Sequence, residues 1–345
     1  MAFNFDYGFE EKLFSKTMDE ALESFQFSYE DNSLNSSVNQ FLSEQGLQDL
    51  INPKSTGEMN LFLGSLLMKQ VGKYLPAFPV IENILARYII GNQSITNITE
   101  ESIFSLAWKA SLEIAEDGEQ RYIKGEIGHI PFANNVNWIL VPLETEVVFI
   151  NTDVLEDQFS SENSIDLTHP LYKAKLNQLQ IDNESIFIQP YDHSEFKVIS
   201  KQLIASELSG MAERVFQETL NYVKEREQFG VIIGKFQAVK HMLADMYLLK
   251  ESIQTSIEYT AWSIENSTED PNLLATISKT YASYSGVKLI EDAIQLHGGV
   301  GMTWEHMLHY YLKRAYRLST MLGTERLEKR LIADELKRNS VLVGQ

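Results

Sequence analysis

From Ile199 onward the sequence carries one apolar stripe after another at helical spacing, and this most constrains the fold. Leu203, Ile204, Leu208, Met211, Val215, Leu220 and Val223 recur at close to 3.6 residues across Ile199 to Arg226. Lys235 to Asn266 is a second amphipathic stretch. Asp270-Pro271 starts a third, with Asp as the cap and Pro in the first turn, and Gly298-Gly299 ends it after His297. Two shorter helices are predicted over about 304 to 320 and 324 to 338. Successive long helices with short connections can bury their stripes only against one another, so a bundle is predicted.

The preceding residues read differently. Residues 1 to about 95 are mostly helical, with stripes at Phe9 to Ser24, Val38 to Leu50 and Leu61 to Tyr74. A polar loop separates the first two at Asp31 to Ser37, and Pro76 and Pro79 stop the third helix. From about 102 to 190, short runs rich in aromatic and branched residues predict strands. These are Ser105 to Trp108 with Ser111 to Ile114 (a strand pair, or one strand with a bulge), Tyr122 to Ile127, Asn137 to Pro142 and Glu146 to Ile150. Asp117-Gly118 supplies a turn. The expected class is α+β, with an N-terminal helical domain over 1–101, a reduced central β domain over 102–197 and a helical bundle over 198–345.

Composition narrows the function. The 345 residues hold 29 basic and 48 acidic side chains, a net charge of -19. That argues against nucleic acid or an anionic membrane as partner, because both reward clustered Lys and Arg. There are no cysteines, which excludes disulfides, thiolate metal sites and cysteine nucleophiles. Met1 to Phe25 lacks the apolar core of a signal peptide, and no apolar run approaches the roughly 20 residues of a membrane span. The expectation is a soluble, cytoplasmic protein.

Two segments carry chemistry. The first is Arg226-Glu227-Gln228-Phe229-Gly230, followed by Phe236-Gln237 and Ala244-Asp245-Met246. A guanidinium at a helix end can grip a diphosphate in two-pronged fashion. Gln228 and Gln237 offer amides, and Phe229 an aromatic face. The alternative is a solvated helix end with Phe229 in the core. The second segment is Gln295-Leu296-His297-Gly298-Gly299-Val300-Gly301, continuing into Met302-Thr303-Trp304-Glu305-His306. Its glycines admit a close backbone or ligand, or simply cap a helix and turn. Glu305, His306 and His309 have a spacing that can bind zinc, but no further ligand is evident, and no metal is expected.

Taken jointly, the two segments resemble the flavin-contacting signatures of acyl-CoA dehydrogenases over roughly residues 200 to 337. Glu44-Gln45-Gly46-Leu47 and Val71-Gly72-Lys73 look like further signposts. The resemblance implies a helical domain, a β domain and a four-helix bundle. It also implies FAD-dependent α,β-dehydrogenation of an acyl-CoA thioester, with an electron-transfer flavoprotein as the usual acceptor. It places Arg226, Gln228, Phe229, Gln237, Gln295, Gly298 and Gly299 against the FAD of a neighbouring subunit.

The sequence departs from the family where catalysis is concerned. The family's base lies in a segment reading roughly Tyr-Glu-Gly-Thr after Arg-Asp-Ala. Here Lys313-Arg314-Ala315 leads to Met321-Leu322-Gly323-Thr324, and Leu322 cannot take a proton. A second family position for the base falls at about Ser200, and the nearest carboxylate on that helical face is Glu207. The Glu-Pro-Gly-Ser-Asp-like loop and Trp-x-Thr/Ser segment of the β domain are not found; Trp108 and Trp138 are expected to fill a trimmed core. What the chain lends to a neighbour is intact, and what it needs for itself is altered. This is similar to the shortened subunits of α2β2 dehydrogenases, whose partner supplies the base. No catalytic residue is then expected in this chain. The resemblance to the shortened subunits extends to bulky thioesters such as a steroid's, though no pocket residue selects one. Two alternatives stand beside this reading: a stabilising subunit that contributes nothing to a flavin site, and a homo-oligomeric enzyme using Glu207 as base.

Overall fold

The structure, a computed structural model, describes residues 8–28, 33–53, 57–91, 97–118, 120–155, 158–303 and 306–343. Met1, Asp31, Trp304 and Glu305, which the sequence analysis names, lie outside these residues. Two compact units result, each drawing on separate parts of the chain. One takes Met1–Ser24, Leu61–Leu75 and Val198–Gln345; the other takes Phe25–Asn60 and Pro76–Lys197. The helices of residues 1–101 are thus divided between the units instead of forming a domain of their own.

The second unit holds α2 (Ser36–Glu44), a short 3-10 turn (Leu47–Asp49), α4 (Val80–Ile90) and eight strands. The strands are β1 (Phe104–Leu106), β2 (Lys109–Asp117), β3 (Gln120–Pro131), β4 (Trp138–Pro142), β5 (Glu146–Asn151), β6 (Phe159–Glu162), β7 (Leu171–Gln180) and β8 (Ile186–Pro190). One sheet runs β1-β4-β5-β8 and the other β2-β3-β7-β6. Their facing side chains, among them Ile123 and Ile127 of β3, Ile139 and Val141 of β4 and Leu176 of β7, form one apolar core. Side chains alternate across a strand, so Trp138 and Leu140 take the other face of β4. There Trp138 meets Phe187 edge-on at 5.6 Å, and Phe187 stacks on Phe149 at 4.5 Å.

Two sequence expectations are corrected in this unit. Ser105 to Trp108 and Ser111 to Ile114 do not pair: β1 lies parallel to β4, whereas β2 lies antiparallel to β3. The chain crosses between sheets at Ala107-Trp108. Trp138 is buried but lies outside the core between the sheets, and Trp108 is half-buried, donating its indole N–H to Glu82 at 2.8 Å.

The first unit holds α1 (Phe9–Glu23), α3 (Leu61–Tyr74), most of α5 (His193–Glu225), α6 (Gln237–Glu265), α7 (Pro271–His297), α8 (Leu308–Thr320) and α9 (Glu325–Val343). Asp270 caps α7 by accepting from the Asn272 N–H, and Gly298 ends it at φ 62°. α5 is the central element: from Gln202 to Ala212 every side chain is buried. Buried polar groups there find partners on neighbouring helices. Gln202 donates to the Ser65 hydroxyl of α3 and to the Ile257 carbonyl of α6, both at 2.9 Å. Reciprocal glycines let α3 and α5 cross at backbone distance. A Cβ on Gly72 would sit 2.0 Å from the Glu207 carbonyl oxygen, and one on Gly210 would sit 1.7 Å from that of Lys69. The signpost Val71-Gly72-Lys73 therefore marks a helix crossing. No helix of the described residues is long and apolar enough to cross a membrane.

Candidate flavin-contacting site and the positions of a base

The first signature forms a hairpin at the end of α5. Glu227–Gln228 (β9) and Val231–Ile232 (β10) pair antiparallel, with Phe229-Gly230 as the two-residue loop. Both loop residues have positive φ, 53° and 78°, as a tight hairpin of this twist requires. The hairpin folds back on its helix: the Ile233 N–H donates to the Arg226 carbonyl at 2.8 Å, and Gly234 lies so close that a Cβ would meet the Val223 carbonyl at 2.8 Å. Arg226, Gln228 and Gln237 (the first residue of α6) are exposed. Phe229 is 93% exposed, touching Phe236 edge-on at 6.3 Å. The bland alternative, with Phe229 in the core, does not hold. An L-residue in the left-handed region costs roughly 1–3 kcal/mol and persists where the surroundings impose it. Here glycine would fit better, and the exposed ring's one aromatic contact in its own chain, with Phe236, offsets little of the cost.

The second signature lies against the first. Tyr222, one turn before Arg226 on α5, stacks on His297 at the end of α7 with ring centroids 4.1 Å apart. Beyond His297, Gly298 to Met302 form a 3-10 turn. Gln295, Gly298 and Gly299 are exposed, and a Cβ added at Gly298, Gly299 or Gly230 would find nothing within 4 Å. One exposed guanidinium, three exposed amides, an exposed aromatic face and open glycine turns therefore occur in one unit, around the adjoining ends of α5 and α7. That donor set fits a planar heterocycle carrying a diphosphate. It supplies an edge for such a group and not an enclosing pocket.

The positions of a base are occupied otherwise. Leu322 sits in the left-handed region at φ 57°, half-buried, in the turn after α8. Lys279 of α7 holds this turn by donating to the Ser319 carbonyl at 2.9 Å and the Gly323 carbonyl at 2.7 Å. Glu328 of α9 takes Lys201 at 2.8 Å and the Thr280 hydroxyl at 3.1 Å, and lies 3.8 Å from Lys279. Burial pushes the Lys279 ammonium down to about 8, Glu328 opposing the shift and Lys201 adding to it. Sequence reasoning missed this cluster, since Lys201, Lys279 and Glu328 lie far apart in the chain. A lysine facing the middle of an otherwise apolar helix stripe was the available signal.

Ser200 is fully buried in α5. Glu207, the nearest carboxylate, is 0% exposed and bound by Arg314 of α8, whose Nε donates at 2.8 Å and Nη2 at 2.7 Å. Protonating Glu207 would strand a guanidinium that is itself only 3% exposed, so this carboxylate is committed to an ion pair and is badly placed for proton transfer. Of the candidate zinc residues, His309 is buried, His306 is half-buried with its ring 4.8 Å from that of His297, and Glu305 lies outside the described residues.

Comparison with known proteins places this architecture. Residues 199–337 match the family described as Acyl-CoA dehydrogenase, C-terminal domain. The chain is 35% identical over 134 residues to acyl-CoA dehydrogenase IpdE2 of Mycolicibacterium smegmatis, which is 39% of this chain and 41% of that protein. The match thus spans about two fifths of that relative's length. The whole fold is similar to a chain of the ChsE4-ChsE5 complex from Mycobacterium tuberculosis, with a TM-score of 0.83 and 19% identity, covering 97% of this chain and 99% of that one. It is equally similar to PigA solved with FAD and proline, with a TM-score of 0.83, 17% identity and coverage of 97% and 99%. Residues 199–337 thus resemble the acyl-CoA dehydrogenase C-terminal domain, and the chain has the acyl-CoA dehydrogenase fold.

Proposed function

We propose that this chain is one subunit of an FAD-dependent, cytoplasmic acyl-CoA dehydrogenase of the α2β2 kind. In this reading it completes a flavin site whose larger part, and whose catalytic base, belong to the partner subunit. The observation that carries it is the contrast within one unit. Arg226, Gln228, Phe229, Gln237, Gln295, Gly298 and Gly299 are exposed, with open space beside both glycines, while no candidate base position offers a carboxylate able to take a proton. That a neighbour of the same fold is a two-component complex, and another binds FAD, supports the reading.

The roles follow from side-chain chemistry. Arg226 would neutralise the FAD diphosphate, Gln228 and Gln237 would hydrogen-bond polar edges, and Phe229 would cover an apolar face of the cofactor and exclude water. Gly298 and Gly299 would let the cofactor approach the end of α7. The chemistry FAD supplies when bound is acceptance of the hydride lost from the acyl thioester. The electron acceptor beyond it is an electron-transfer flavoprotein. The ion pair between Glu207 and Arg314 weighs against the homo-oligomeric alternative. Substituting Arg226→Ala in the assembled complex is expected to lower flavin occupancy with the complex still intact. Full occupancy in that variant would sink the assignment.

A further inference from the structure

We propose that Tyr222, His297 and His306 form a ring stack that positions Arg226 and the Gly298-Gly299 turn relative to each other, so that flavin affinity depends on these three rings as well as on the contact residues. This rests on the flavin reading above and deepens it by naming positioning residues.

The geometry ties both contact segments to one imidazole. The Arg226 N–H donates to the Tyr222 carbonyl at 2.9 Å, so Tyr222 fixes the last turn from which Arg226 projects. The Tyr222 ring lies almost flat on His297, 4.1 Å away with 20° between planes, and its hydroxyl reaches the His297 carbonyl at 3.4 Å. His297 is itself fixed by its Nδ1, 2.8 Å from the Ala293 carbonyl, which places a proton on that nitrogen. The 3-10 turn is pressed on the same side chain: a Cβ on Gly301 would lie 3.0 Å from the His297 Cβ. His306, on the segment leading into α8, meets the same imidazole edge-on at 4.8 Å. His297 therefore touches the end of α5, the glycine turn and the entry to α8, and it is buried. Burial holds its pKa below the usual histidine range; the Ala293 carbonyl and Glu218 of α5 oppose the shift, and His306 adds to it. At neutral pH the imidazole is uncharged and acts as a spacer. Without the stack, the end of α5 and the glycine turn would move independently, and a diphosphate would no longer meet both in register. Misplacing such groups by about an ångström is worth ten- to a hundredfold in binding or rate.

The test is FAD and FMN titration of the partner-assembled complex after flavin removal, on Tyr222→Phe, Tyr222→Leu, His306→Leu and, as reference, Arg226→Ala. The expected result is wild-type affinity in Tyr222→Phe, which keeps the ring. Tyr222→Leu and His306→Leu should lose about tenfold in FAD affinity. Tyr222→Leu should also lose part of the preference for FAD over FMN, as Arg226→Ala does, because the diphosphate grip is what the stack aims. The unfolding temperature of the flavin-free complex should not change. Wild-type affinity in Tyr222→Leu with a loss in Arg226→Ala would overturn the stack and spare the flavin reading. No loss in either would overturn both. A fall in unfolding temperature matching the loss of affinity would assign the rings to the scaffold and overturn positioning. Should Tyr222→Leu fail to assemble, His306→Leu decides alone, and unchanged FAD affinity there overturns the proposal.

Discussion

Glu207→Gln separates a structural carboxylate from a catalytic one. The native side chain is wholly buried and accepts two charged hydrogen bonds from Arg314, at 2.7 and 2.8 Å, tying α5 to α8. The amide keeps the size and shape but removes the negative charge that faces a nearly buried guanidinium. Breaking one side of such a pair costs roughly 3–5 kcal/mol, whereas a surface pair would cost under about 1 kcal/mol. The full cost applies because neither partner reaches water. Urea denaturation followed by far-UV circular dichroism measures it as a lowered midpoint at unchanged slope. Replacing both residues with apolar ones, Glu207→Leu with Arg314→Met, should recover most of the loss, since the desolvation of both charges disappears together. A variant as stable as the parent but catalytically dead would refute this reasoning and restore Glu207 as a base.

Three further outcomes are expected. Gly210→Ala should lose about 2 kcal/mol in the same denaturation assay, because the new methyl would sit 1.7 Å from the Lys69 carbonyl oxygen and force α3 and α5 apart, against a gain in helix propensity of only about 1 kcal/mol. Lys279 should make stability rise with pH between about 8 and its ordinary 10.5, since in that window the unfolded chain holds a proton that the folded chain has lost; the span is up to about 3 kcal/mol, and Lys279→Met should remove that part of the slope. Phe229→Gly should leave the isolated chain as stable or up to about 1 kcal/mol more stable, by relieving the positive φ of 53°, while weakening flavin retention in the assembled complex.

The bundle was legible because α5 and α6 read as amphipathic helices and because Asp270, Pro271 and Gly298 mark the ends of α7. α4 was covered only by the general reading of residues 1 to about 95 as helical: from Val80 to Ile90 nearly every residue is buried, and its polar Glu82, Asn83 and Arg87 are buried with the rest. β7 reads Leu-Tyr-Lys-Ala-Lys-Leu-Asn-Gln-Leu-Gln, whose Lys, Asn and Gln are poor strand formers, and pairing on both edges overrides that bias. In the site, the contact segments could be read as a spaced motif, but the exposure of Phe229 followed only from the resemblance and not from its local sequence. An aromatic beside a helix end defaults to the core, and only the tight hairpin turns it outward. The ion pair of Glu207 and the grip of Lys279 on the turn holding Leu322 are tertiary, joining residues that no local spacing connects.

The most direct measurement is the visible absorption spectrum and native mass of this chain, purified alone and then after co-expression with a second, fuller acyl-CoA dehydrogenase subunit. A chain that is colourless alone, and that joins its partner in a yellow heterotetramer, is the predicted result. A yellow homo-oligomer that turns over an acyl-CoA thioester by itself would contradict the account.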